Sequence, residues 1–153
     1  MTHHETRHSD RWRPLGAGLA GGALGTVVMS AFRAPTARSL PPTADFLSRW
    51  GGGSPEEYPL ASLVLHLLYG VAAGVPLGLA WPRLAAWGGD SERAGLLVGA
   101  AYGLVLSVFG ERVVVGRLVG MTLDDDDEAA VFHAGHLVYG LTLGAWVGSR
   151  ARS

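Results

Sequence analysis
The sequence predicts an all-α membrane protein, a four-transmembrane-helix bundle built from two tandem helical hairpins as a parallel 2+2 internal repeat. Three observations predict it. The charges cluster in the N-terminal tail, in 33–57, 83–93 and 111–128, and at the C-terminal end. Between them lie four nearly charge-free runs of roughly 17–22 residues, the length that crosses about 30 Å of hydrocarbon as helix. Next, His66-Leu67-Leu68-Tyr69-Gly70, with Gly74 and Gly78 following, recurs as His136-Leu137-Val138-Tyr139-Gly140, with Gly144 and Gly148 following. Each match stands 70 positions after its counterpart. Finally, glycines step in fours through every run. Hydrophobic residues make up 48% of the 153, and the mean hydropathy is +0.25. A soluble domain can share that apolar fraction, so its distribution decides.

Residues 1–13 are polar and carry His3, His4 and His8, which reads as a disordered tail. A single transmembrane domain is expected over 14–149, with 150–153 as a C-terminal tail. Span one, 14–32, ends at Arg33 and Pro35, where proline stops a helix. An arginine-bearing tail before an apolar run also fits a secretory signal peptide. The glycine-rich make-up, and the balance of two hairpins, favour a retained span. Thr43–Trp50 predicts a short interfacial helix capped by Thr43, with Phe46, Leu47 and Trp50 on its apolar face. Gly51, Gly52, Gly53 and Pro55 break it. Span two, 60–81, ends at Pro82 and Gly88-Gly89. Span three, 94–110, is closed by Glu111-Arg112. The stub Val113–Met121, interrupted by Arg117, is too short to cross; it either extends span three or lies in the interface. Span four covers 129–148, with Arg150 and Arg152 behind it.

An even number of crossings restores the starting side, so two hairpin copies should be related by a pseudo-two-fold along the membrane normal. Spans one and three match more weakly, through Gly21/Gly25 and Gly99/Gly103, at an offset drifting between 77 and 78. Seven arginines lie on the side of the termini and five on the other, which favours both termini inside the cell membrane. Trp12, Trp81, Trp87 and Trp146 fall near boundaries on that same side, as belt residues do.

The chain has no cysteine, which excludes disulfides and thiolate sites. All twelve basic residues are arginine, and Asp124–Glu128 is an unbroken acidic run. The combination points to a GC-rich, salt-loving source. The formal net charge of −1 gives no footprint for nucleic acid. The bilayer is the expected partner, together with a second copy or another membrane protein.

Gly21, Gly25, Gly70, Gly74, Gly78, Gly99, Gly103, Gly140, Gly144 and Gly148, with Gly18 and Gly22, form small-xxx-small faces. In lipid no hydrophobic effect drives helices together, so close backbone approach supplies the contact. Spans two and four are expected to meet near the pseudo-axis through these stripes, bringing His66 towards His136. An ionisable side chain within a span is costly and calls for a partner or a role. The simpler answer is a neutral imidazole bonded across helices to Tyr69, Tyr139, Ser62 or a carbonyl. The sharper one is a ligand pair: facing imidazoles beside glycines would admit a flat macrocycle such as haem. No cofactor is otherwise implied.

His133 stands one turn from His136, with Glu111 able to approach from span three. That spacing suits a divalent ion but is common by chance, and no metal site is assigned. Glu111-Arg112 reads as a boundary pair. No catalytic residue is assigned: P-loop, HExxH and GxSxG patterns are missing, and serines within the spans have no obvious adjacent base.

The glycine-rich first span, the loop Leu40-Pro41-Pro42-Thr43-Ala44-Asp45-Phe46-Leu47 and the His-Leu-x-Tyr-Gly stripes together resemble small uncharacterised four-span membrane proteins of halophilic archaea, over about residues 14–149. That resemblance implies the four-span fold and no site residues. Three classes of function follow from the residues. A structural or interaction bundle predicts a filled centre. A small-solute or ion conduit predicts a polar path past His66, Tyr69, His136 and Tyr139. A haem- or metal-bearing protein predicts a slot between His66 and His136.

Overall fold
The computed structural model describes residues 6–35, 40–86, 91–123 and 125–150, with side chains from residue 12 onward. Every regular element among them is helical. These are α1 (Thr6–Arg33), α2 (Pro42–Gly51), a 3₁₀ turn (Pro55–Glu57), α3 (Pro59–Ala85), α4 (Ser91–Phe109), a π-helical segment (Gly110–Val119) and α5 (Asp126–Arg150).

Four stretches are long and apolar enough to cross a membrane: Trp12–Arg33, Pro59–Ala85, Ser91–Val119 and Asp126–Arg150. Their outer surfaces carry large apolar side chains such as Val27, Leu60, Val64, Leu68, Leu97 and Val105. Leu97 is 73% exposed. Such a continuous greasy exterior is a liability in water and is the natural surface of a helix in lipid. The chain therefore has the build of a multi-pass membrane protein.

What lies inside is small. α1 packs along α3, α4 along α5, and α1 on α5 joins the two pairs. A methyl group on Gly74 would meet the Gly18 carbonyl oxygen and come within 2.8 Å of Gly22 Cα. One on Gly144 would meet the Gly95 carbonyl oxygen and come within 2.8 Å of Gly99 Cα. Gly78 lies on Pro14 and Gly18, as Gly148 lies on Ser91 and Gly95. The facing backbones thus touch, which only glycine permits. α1 has a second glycine face, offset from the first: Gly21 lies against Leu143 and Trp146, and Gly25 against Tyr139.

This corrects the expected pairing. The stripes of spans two and four do not meet each other; each packs on the preceding span of its own hairpin. Gly18 and Gly22 meet α3 and Gly95 and Gly99 meet α5, whereas Gly21 and Gly25, the pair likened to Gly99 and Gly103, face α5.

Three boundaries differ from expectation, and the stub takes one of its two expected courses. α1 starts at Thr6, so residues 6–13 are helical and not a disordered tail. α3 continues through Pro76 and Pro82 to Ala85. The stub beyond Glu111 extends α4 without interruption as a π-helix, closed by a bond from Gly120 N–H to the Val115 carbonyl at 2.9 Å. Gly120 ends it at φ 78°, where a side chain would be strained. α2 starts with Pro42 at its first turn and has no side-chain cap. Thr43 instead donates to the Ser62 carbonyl at 2.9 Å and pins α2 to α3. Arg49 donates to the Val119 carbonyl at 2.6 Å and pins α2 to the π segment. His3, His4, Trp87, Gly88-Gly89, Asp124 and 151–153 lie outside the described residues.

Candidate functional site
Pinned at both ends, α2 and the π segment roof one end of the bundle over a half-open cavity of about 200 Å³. His66 and Tyr69 reach it from α3, His136 from α5, Arg33 from the end of α1, and Thr43 and Phe46 from α2. His66 and His136 thus line the same cavity, although the glycine stripes of spans two and four do not meet. Beneath lies a second void of about 20 Å³, lined by both histidines, Tyr69 and Tyr139. That is room for about one water.

The two histidines are held differently. His136 Nδ1 lies 2.9 Å from the Phe132 carbonyl one turn back. A carbonyl only accepts, so Nδ1 carries the proton, and a neutral ring presents Nε2 as an acceptor. The Phe132 ring packs against the imidazole, tilted at 46° with centroids 4.4 Å apart. Among the described residues His66 and Tyr69 form no hydrogen bond. Tyr139 donates across the hairpins to the Gly70 carbonyl at 2.6 Å, and Tyr102 donates to the Ala73 carbonyl at 2.5 Å. Tyr69 therefore has no counterpart to the Tyr139 bond, and the two copies of the motif are chemically unequal.

His133 does not join His136. It turns to α4, with Nδ1 2.8 Å from Ser107 Oγ and Nε2 3.7 Å from a Glu111 oxygen. Glu111 is thereby more than a boundary residue. Ser107, unassigned from the sequence, has a base beside it. Only the 26-residue separation hides the pair, since Ser107 and His133 sit on opposing helices. The group has the make-up of a Ser-His-carboxylate relay. Ser107 is 1% exposed and its hydroxyl also meets the Leu104 carbonyl at 3.1 Å. No cluster of three or more His, Cys, Asp or Glu suited to a metal ion occurs among the described residues.

Haem does not fit. About 200 Å³ falls below the roughly 300–1,000 Å³ of ordinary ligand pockets, and Phe132 and Gly110 close on the His136 ring. At the opposite end, a larger cavity of about 580 Å³ lies between α1, α3 and α5. The two cavities are separated by a core of Met29, Leu77, Tyr139, Leu143 and Val147. Leu143 is 0% exposed. Trp81 and Trp146 belong to this interior and not to a belt, whereas Trp12 is 61% exposed.

No protein-family model, curated protein or solved structure matches this chain.

Proposed function
We propose that the protein is a non-enzymatic multi-pass protein of the cell membrane, with both termini cytoplasmic, that serves as a structural or interaction bundle. The observation that carries this reading is the filled centre. Leu77, Tyr139, Leu143 and Val147 occupy the level where a conduit needs water. A second copy or another membrane protein, besides lipid, is the partner class for such a bundle. We read its two hairpins as tandem copies about an axis along the membrane normal. The matched contacts of Gly74 on Gly18 and of Gly144 on Gly95 support that descent. Purified protein in liposomes loaded with a pH-sensitive dye tests the reading. Proton leakage should equal that of empty vesicles. Flux that His136→Gln abolishes would overturn it.

The roofed cavity favours a second reading, a small protonated weak acid as ligand. A carboxylic acid has a hydroxyl for His136 Nε2 and a carbonyl for a donor such as Arg33, His66 or Tyr69. It also enters a membrane site without bringing a charge. Propionic acid at ten times its dissociation constant should raise the melting temperature by about 4 °C. The rise should appear near pH 5 and vanish near pH 7.5, where such acids ionise. Propionamide should act less, and His136→Leu should remove the effect. An equal rise at both pH values, or one that survives His136→Leu, would count against it.

A further inference from the structure
We propose that the cavity at the end of the bundle carrying both termini binds an anionic phosphate group, supplied by a phospholipid of the adjoining leaflet. This cavity is independent of the histidine site, with about 580 Å³ of space at the other end of the helices. Arg13 of α1 and Arg150 from the end of α5 line it together, and no acidic side chain among the described residues lines it. The Arg150 guanidinium lies 4.0 Å over the Trp146 ring, which keeps the cation beside the opening. The walls between them, including Ala17, Ala20 and Val147, are apolar.

Trp81 and Trp146 also line the cavity, and both indole N–H groups are buried with no acceptor in the protein. Trp81 is only 5% exposed. A buried donor without a partner is costly, and an oxygen brought by a ligand relieves it. Two cations at the helix ends, two orphaned donors and a greasy wall below them match one kind of molecule. Its phosphate meets the arginines at headgroup level and its glycerol and upper acyl segments cover the wall. Free phosphate would satisfy the cations and leave the wall bare, so lipid is the favoured source.

The test uses the full chain in neutral detergent, with native mass spectrometry for retained lipid and indole emission for occupancy. Phosphatidylglycerol, phosphatidylcholine and inorganic phosphate are added separately. Phosphatidylglycerol should be held about fivefold or more tighter than phosphatidylcholine, whose choline cation opposes the arginines. The double variant Arg13→Gln/Arg150→Gln should weaken it about tenfold, and Trp81→Phe by a smaller factor. The arginines lie at the rim, so that double variant keeps the packed interior even if Trp81→Phe disturbs it. His66→Gln, at the other cavity, should leave retention unchanged. A saturable, arginine-dependent emission shift with inorganic phosphate alone would keep the anion site and make free phosphate its source. Equal retention of the two lipids, or undiminished retention by the double arginine variant, would overturn the proposal. The histidine-site and flux experiments would stand either way.

Discussion

Gly144→Ala is expected to lower stability by about 2 kcal/mol or more, although alanine is the better helix former. In an open helix position the exchange gains up to about 1 kcal/mol. Here the added methyl has nowhere to go. It meets the Gly95 carbonyl oxygen and lies 2.8 Å from Gly99 Cα, and both are backbone atoms that no rotamer change can move. α4 must back away from α5, and every contact along that face weakens together. Overpacking of this kind costs about 1–3 kcal/mol, more where the neighbour is rigid. Gly16 is the internal control, since nothing lies within 4 Å of a methyl placed there. Gly16→Ala should be neutral or slightly stabilising. Unfolding the detergent-solubilised variants with increasing dodecyl sulfate separates the two. Equal midpoints for Gly144→Ala and Gly16→Ala would mean that the α4–α5 backbones do not touch.

The same arithmetic explains what the sequence made legible. Spans are set by charge and length, and all four appear where the charge-free runs lie. Glycines in steps of four announce close packing, but a step of four does not say which helix is the partner. α1 carries two such faces, Gly18/Gly22 and Gly21/Gly25, a single residue out of phase. Only three-dimensional placement shows that one meets α3 and the other α5. Pro82 reads as a stop because proline usually is one; near the end of a span its lost bond is tolerated and α3 runs on to Ala85. The 70-residue offset gives His66 and His136 matching places in their two stripes, and both line the roofed cavity. The roof over them was not legible, because it depends on Thr43 and Arg49 reaching carbonyls 19 and 70 residues away. Ser107 was hidden for the same reason.

Tyr139→Ala is expected to loosen the docking of one hairpin on the other, by about 3 kcal/mol. The residue is 3% exposed; its ring lies on Gly25 of α1 and its hydroxyl donates to the Gly70 carbonyl of α3 at 2.6 Å. One side chain on α5 thus holds both helices of the first hairpin. The two contributions can be separated. Tyr139→Phe keeps the ring and loses the bond, which within membrane bundles averages about 0.6 kcal/mol and reaches about 1.7. The freed Gly70 carbonyl then lies beside the small void and can accept from a water there, so the loss should fall near the lower figure. Packing on Gly25 accounts for the rest, because a helix in lipid gains little from hydrophobic burial and much from close fit. Dodecyl sulfate unfolding should order the proteins as wild type, Tyr139→Phe, then Tyr139→Ala, with the larger interval between the last two. If Tyr139→Phe alone produced most of the loss, the hydrogen bond and not the ring on glycine would be what joins the hairpins.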